Sequence, residues 1–213
     1  MPELPEVETI RRGLEKYILN KKIVRAEVLC PKSFVNDSDL EIIGAKIAGL
    51  RRFGKALIID LDNQNSMMIH LRMTGQLIWR GKENFAAGHP SENFVAELPN
   101  KQTRVFFEFK DGVLYFNDQR KFGFVKILPT KEVEKDQFIA NLAKEPWDMT
   151  ADEFYEKTKK HAKSPIKAVL LDQKIIAGLG NIYADESLFY AKVHPATLAV
   201  NLTKKETTEI LEG

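Results

Sequence analysis

The first eight residues, Met1-Pro2-Glu3-Leu4-Pro5-Glu6-Val7-Glu8, gather two prolines and three carboxylates at one end of the chain. A small residue at position two permits removal of the initiator methionine, which leaves Pro2 with a free secondary amine. An α-amino group titrates near pKa ~8, against ~10.4 for lysine, so a useful fraction is unprotonated at neutral pH. Such an amine attacks the carbon of a masked aldehyde and forms a Schiff base, which splits one difficult substitution into easier steps. Glu3, beside that nitrogen, can donate or accept a proton. Glu6 falls at the edge of an apolar stripe, where burial makes its charge expensive. A purely structural account also exists: proline suits the first turn of a helix, and the helix dipole favours glutamates there. That account covers Pro5, Glu6 and Glu8 but gives Pro2, outside the helix, no purpose.

Other residues could handle phosphate or a duplex. Lys55 follows Gly54 at the start of a strand in "RRFGKALIID". In "IHLRMTGQL", alternation puts His70 and Arg72 on one face and Leu71 and Met73 on the other, which by itself describes a satisfied histidine and a core methionine. "FNDQRKFGFV" reads as a turn carrying Arg120, Lys121 and Phe122, and an arginine beside an exposed aromatic is what a duplex-probing wedge requires. Gly178 and Gly180 give the "GLGN" turn access to positive φ, and Asn181 can cap the helix that follows. Backbone N–H groups at a helix start suit a phosphate, although a tight structural turn would explain the same residues. Lys157, Lys159, Lys160, Lys163, Lys167 and Lys174 crowd the same half of the chain, and Arg51, Arg52 and Lys55 form a second cluster. Basic residues on one face are the footprint of phosphate binding, and a solvated lysine-rich helix is the structural alternative.

The elements that must position these groups fall into two textures. A helix is predicted from Pro5 to about Lys16, with Val7, Ile10, Leu14 and Tyr17 as its apolar stripe. Between about Lys22 and Leu128 come short β-branched or aromatic runs broken by Gly, Asn and Asp. "VRAEVLC" alternates at Val24, Ala26, Val28 and Cys30, and "KALIIDL", "SMMIHLRM", "RVFFEF" and "GVLYFN" follow. Such runs imply an antiparallel sandwich. The stretch 80–102 breaks the pattern and is expected to be a long loop. From Lys131 the chain turns helical, through "EKDQFIANLAKEPW", "TADEFYEKTKKHA", "SPIKAVLLDQKIIAGLGN", "NIYADESLFYAKV" and "TKKETTEILEG", with a capping box at Thr150 and Glu153. The expected class is α+β: residues 1–130 form a helix plus β-sandwich, and residues 131–213 a helical domain.

Composition narrows the function classes. With 213 residues, 44% hydrophobic and 29% charged, the chain has the make-up of an ordinary soluble protein. No apolar run approaches the ~18 residues of a membrane span, and the acidic N-terminus is unlike a signal or transit peptide, so a cytoplasmic location is expected. One cysteine, Cys30, excludes a disulfide framework and a CxxC metal site, and is expected to pack as a small hydrophobe in a strand. The net charge of +2 is too small to indicate nucleic acid without the clustering described above.

Together, "PELPEVETIRRGL", "FGK", "HLRMTG", "NDQRKFG" and "AGLGNIYADESLF" resemble the bacterial formamidopyrimidine-DNA glycosylases, also called 8-oxoguanine DNA glycosylase/AP lyases. Leu4 points to this branch, since the related endonuclease VIII group usually begins PEGPE. The resemblance implies a helix and β-sandwich followed by a helix-two-turn-helix domain, with damaged double-stranded DNA in the cleft between them. It implies a monomeric, nucleoid-associated repair enzyme that removes oxidised purines and cleaves the strand by β-elimination. Pro2 would be the nucleophile at sugar C1′, Glu3 the acid at the deoxyribose ring oxygen, and Glu6 an organiser of the amine. Lys55 would contact phosphate and assist proton transfer. His70, Lys163 and Asn181 match DNA contacts, and Met73, Arg120 and Phe122 match the triad that fills the space left by the everted nucleotide.

Two departures stand out. Gln102 in "NKQTRVFFEF" replaces a DNA-contacting histidine, so that contact is altered or lost. The family's C-terminal zinc finger, with four cysteines and an arginine-bearing hairpin, is absent, so the chain is expected to be a fragment ending inside the helical domain. No cofactor or metal is expected in it, since the zinc would belong to that finger. Two other readings compete. A non-catalytic or impaired damaged-DNA-binding fragment is opposed by the intact Pro2, Glu3, Glu6 and Lys55. An N-terminal-proline tautomerase explains Pro2 but leaves the basic helical half and "GLGNIYADES" unused.

Overall fold

The computed structural model describes residues 1–213. The first helix, α1 (Leu4–Ile18), starts one residue before Pro5 and runs beyond Lys16. Its buried residues are Leu4, Val7, Ile10, Leu14 and Ile18. Tyr17 is only half-buried and stacks its ring against Trp79 and Phe85 at 6.3 and 5.7 Å. Ile18 therefore ends the stripe, because the 3.6-residue period brings position 18 rather than 17 back to the core face.

Ten strands follow: β1 (Ile23–Val28), β2 (Phe34–Val35), β3 (Ile47–Phe53), β4 (Ala56–Leu61), β5 (Asn65–His70), β6 (Gly75–Gly81), β7 (Phe85–Gly88), β8 (Thr103–Phe109), β9 (Gly112–Asp118) and β10 (Phe124–Pro129). They form two five-stranded sheets, in the orders β1-β8-β9-β6-β7 and β2-β10-β5-β4-β3. Every pair is antiparallel except the two-residue β2, which runs parallel to β10. Alternate residues of both sheets, among them Leu57, Ile59, Met67 and Ile69 from one and Leu77, Trp79, Phe107 and Phe116 from the other, share one core with the α1 stripe. That shared core fixes the N-terminal end of α1 against the sandwich, since a helix with one apolar stripe is stable only where the stripe is covered.

Three expectations need correction. β1 does not bury its alternate apolar residues: Val24 and Val28 are exposed, because β1 is a sheet edge and its register shifts between Ile23 and Arg25. Cys30 lies beyond that strand, half-buried before the 3-10 turn Pro31–Ser33. The stretch 80–102 is not a bare loop: β7 pairs with β6, and Glu92–Phe94 forms a 3-10 turn. Amides order the rest of it. Asn93 Nδ2 donates to Gln76 Oε1 and Gln102 Oε1, and Asn100 Nδ2 donates to Asn93 Oδ1.

The chain forms two compact units, Met1–Asp136 and Gln137–Gly213. The 3-10 turn Thr130–Lys135 belongs to the first, where Val133 is buried and Lys126 pairs with Asp136 at 2.6 Å. The second contains α2 (Gln137–Ala140), α3 (Ala151–Lys160), α4 (Ile166–Leu171), α5 (Asn181–Tyr190) and α6 (Lys204–Glu212). Of "EKDQFIANLAKEPW" only the single turn of α2 is α-helical, followed by a 3-10 turn at Pro146–Asp148. The capping box at Thr150 and Glu153 starts α3 as expected, and Thr203 with Glu206 starts α6 in the same way. Phe154, Ile166, Val169, Leu170, Ala184, Leu188 and Ile210 form this unit's own core. No helix is long and apolar enough to cross a membrane.

Candidate functional site

The N-terminal residues sit where α1 meets the sandwich. Pro2 is buried, and Glu3 is only 2% exposed although it carries a carboxyl group. Glu3 occupies the N-cap of α1, and its N–H donates to Glu6 Oε2 at 2.8 Å. Glu6 therefore holds the backbone immediately after Pro2. Lys55 is buried in the turn between β3 and β4, reached through Gly54 at φ 53°. Burial pushes its ammonium pKa below the ordinary lysine value, while the negative charge of Glu3 opposes that shift. Lys55 and Glu3 are therefore two buried ionisable groups that feel one another's charge.

His70 ends β5, opposite Ala56 on β4 and Phe124 on β10. Burial first, then the positive charges of Arg72 and Lys55, push its pKa down to about 3. Its Nδ1 accepts the Arg72 N–H at 3.0 Å, so the neutral ring carries its proton on Nε2. Glu3, Lys55 and His70 thus share one electrostatic neighbourhood, and the histidine in it is a neutral donor at pH 7.

The strand period fails just after His70. Arg72 adopts φ 51°, and the Gly75 N–H closes the turn onto the Leu71 carbonyl at 2.9 Å. A Cβ on Gly75 would lie 2.3 Å from that carbonyl oxygen, so the tight closure requires glycine. Leu71 is buried but Met73 is 41% exposed, so the two do not share a core face. The turn between β9 and β10 presents Phe122, 58% exposed, with the Arg120 guanidinium 5.3 Å from its ring centre. Both turns therefore present large side chains to solvent.

The basic clusters separate by role. Arg51 pairs with Asp60 at 2.6 Å. Arg52 pairs with Glu8 at 3.3 Å and donates to the Gly54 carbonyl at 2.9 Å, linking α1 to the turn that carries Lys55. Both arginines thus have internal ion-pair partners. In the second unit Lys157 donates to the Ile175 carbonyl, Lys159 to those of Val200 and Leu202, and Lys167 pairs with Asp185. Lys160, Lys163 and Lys174 are exposed, Lys163 in the turn after α3. Asn181 is the first residue of α5 rather than its cap, and it is exposed. Gly180 caps that helix at φ −125°, so of the two glycines only Gly178, at φ 95°, uses a left-handed backbone.

Sequence reasoning passed over Thr74 and Asp118. Asp118 is fully buried, and its carboxylate accepts from Thr74 Oγ1 and from the N–H groups of Arg120 and Gly123. The signal lay inside "NDQRKFG", where an aspartate opens a glycine-containing turn, but the arginine and phenylalanine drew the reading instead. Gln102 keeps its side chain in the Asn93 amide network, and its carbonyl accepts the Asp118 N–H. No three His, Cys, Asp or Glu side chains come together in a way that could hold a metal ion.

Residues 1–125 match the family description "Formamidopyrimidine-DNA glycosylase N-terminal domain", and residues 142–213 match "Formamidopyrimidine-DNA glycosylase H2TH domain". A formamidopyrimidine-DNA glycosylase of Ligilactobacillus salivarius is 42% identical over 211 residues, covering 97% of this chain and 72% of the relative. One from Carboxydothermus hydrogenoformans is also 42% identical, covering 100% and 74%. A crystal structure of Lactococcus lactis formamidopyrimidine-DNA glycosylase, bound non-covalently to DNA containing an AP site, superposes with a TM-score of 0.86 at 33% identity, covering 99% of this chain and 77% of that one. Both halves are thus matched, and relatives share the order of helix, sandwich and helical unit: the chain belongs to the formamidopyrimidine-DNA glycosylase family.

Proposed function

We propose that this chain is a DNA glycosylase of base excision repair that removes oxidised purines, 8-oxoguanine and formamidopyrimidines, from double-stranded DNA. We further propose that it cleaves the strand as an AP lyase, through the amine of Pro2. The observation that carries the proposal is the burial of Pro2 and Glu3 at the start of α1, with half-buried Glu6 accepting the Glu3 N–H and buried Lys55 within electrostatic reach of Glu3. Polar groups are not buried in this way without a compensating use or partner.

The chemistry follows from their positions. A lesion in a duplex must be everted before C1′ is reachable, at a cost of a few kcal/mol of stacking and pairing. Met73, Arg120 and Phe122 offset that cost by filling the vacated space. After removal of Met1, the Pro2 nitrogen attacks C1′ and the glycosidic bond breaks, the base leaving with a proton. Glu3 protonates the ring oxygen as the sugar opens, giving an iminium between Pro2 and C1′. The iminium acidifies the C2′ proton, and loss of that proton expels the 3′ phosphate. Lys55, whose pKa burial lowers, is suited to move that proton. His70 donates to a phosphate through Nε2–H as a neutral group, and Lys163 and Asn181 contact the backbone from the helical unit. This route uses no cofactor.

Borohydride trapping tests the proposal. Duplex containing 8-oxoguanine or an abasic site is expected to yield a covalent adduct, and Pro2→Gly, with removal of Met1 confirmed by mass, to lose it. An adduct formed equally well by Pro2→Gly would assign the nucleophile elsewhere. Binding of lesion duplex with no adduct from the parent would favour a DNA-binding role without catalysis.

A further inference from the structure

We infer that Asp118 and Thr74 form a clamp that holds the Met73 turn and the Arg120–Phe122 turn together as one two-pronged probe. The inference rests on the proposed space-filling role of those side chains and assigns positioning residues to it. The two turns lie 44 residues apart in sequence, and Thr74 Oγ1 donates to Asp118 Oδ1 across that separation. The Arg120 N–H is shared between Thr74 Oγ1 at 3.0 Å and Asp118 Oδ1 at 3.2 Å. The Gly123 N–H donates to Asp118 Oδ2 at 2.7 Å. Both ends of the Arg120–Phe122 turn are thereby tied to one carboxylate, and the neighbour of Met73 is tied to the same group.

The aspartate is itself held. Its N–H donates to the Gln102 carbonyl at 2.9 Å, and its carbonyl accepts Arg104 Nε at 2.7 Å. Arg104 is 6% exposed, so its guanidinium serves the interior. Gly123 allows the close approach, since a Cβ there would lie 2.8 Å from the Phe116 ring and 2.9 Å from the His70 carbonyl. The contrast in exposure completes the argument. Asp118 is 0% exposed, whereas Met73 and Phe122 are 41% and 58% exposed, so a rigid buried joint carries exposed prongs. Prongs that enter a duplex must stay in register while stacked bases are displaced, and a misplacement near 1 Å costs about a hundredfold in rate.

Thr74→Val removes the hydroxyl while keeping the shape, and Thr74→Ser keeps the hydroxyl. For Thr74→Val the expected result is a loss of about tenfold in processing of a paired 8-oxoguanine, with cleavage at a preformed abasic site changed less than about twofold. Thr74→Ser is expected to behave as the parent. Asp118→Asn offers an N–H₂ group to donors and is expected to show the same selective loss, with faster hydrogen exchange at the Arg120 and Gly123 amides. Equal loss on both substrates, or a Thr74→Val protein that matches the parent on both, overturns the clamp. Phe122→Ala is measured alongside. An unchanged substrate ratio there overturns the space-filling reading and the clamp with it. A lowered ratio in Phe122→Ala with none in Thr74→Val overturns the clamp alone.

Discussion

His70 shows how burial, rather than residue type, sets what a side chain can do. A histidine beside a phosphate suggests a cation, but its flanking strands take it out of water, and nearby Arg72 and Lys55 oppose a third positive charge. With its pKa at about 3 in the folded chain against 6.5 for the ordinary group, the unfolded chain binds the extra proton between those values. Stability associated with His70 is therefore fully present above pH 6.5 and is lost as pH falls toward 3, at up to about 1.4 kcal/mol per pH unit. Urea unfolding of the parent and of His70→Gln between pH 7 and 4.5 tests this. The variant is expected to lose less stability over that range, and parallel curves would mean that His70 is protonated in the folded chain. The identities of Pro2, Glu3, Lys55 and His70 as chemical groups were legible from the sequence. Their burial was not, because it depends on strands far away in the chain, such as β10 with Phe124 opposite His70.

At the level of elements, strong periodicity survived and weak periodicity did not. The α1 stripe, the sandwich strands and the Thr150 cap carry local signals that agree with the tertiary packing. β7 does not: its four residues, Phe85-Ala86-Ala87-Gly88, show no alternation, and they are ordered by pairing with β6 and by Phe85 against α1. That contact gives a prediction with an unusual sign. Gly13 lies inside α1, where replacement by alanine ordinarily stabilises by roughly 0.5–1 kcal/mol. Here a Cβ would lie 2.2 Å from Phe85 Cζ, so the ring, which stacks on Tyr17, must shift. Gly13→Ala is expected to destabilise by about 1–3 kcal/mol, the range for overpacking. In a Phe85→Ala background the same change is expected to be neutral or stabilising. A stabilised Gly13→Ala in the parent, measured by urea unfolding, would mean that the helix is not seated on β7 through this pair.

Across the whole molecule, charge is informative only after the internal bonds are taken out. The sequence shows 32 Lys and Arg against 30 Asp and Glu, and a cluster of six lysines in the helical half. Three of those six, Lys157, Lys159 and Lys167, are engaged with carbonyls or with Asp185, so much of the cluster holds the unit together. No sequence pattern separates these from Lys163, since a carbonyl acceptor such as Val200 lies 41 residues from its lysine. If Lys163 meets a DNA phosphate, neutralising it should remove about one released counterion and lower the log–log salt slope of binding by ~0.9. Lys167→Gln exchanges one exposed ion pair for an unpaired Asp185, so its effect on the slope should be smaller than that of Lys163→Gln. Binding of abasic duplex measured between 50 and 200 mM salt, chosen to span roughly the range over which phosphate contacts dominate, separates the two. Lys163→Gln should weaken binding most at the low-salt end, to a similar extent on lesion and undamaged duplex, because a phosphate carries no sequence or lesion information. A slope unchanged by Lys163→Gln, or reduced equally by Lys167→Gln, would remove Lys163 from the interface and return the lysine cluster to its structural reading.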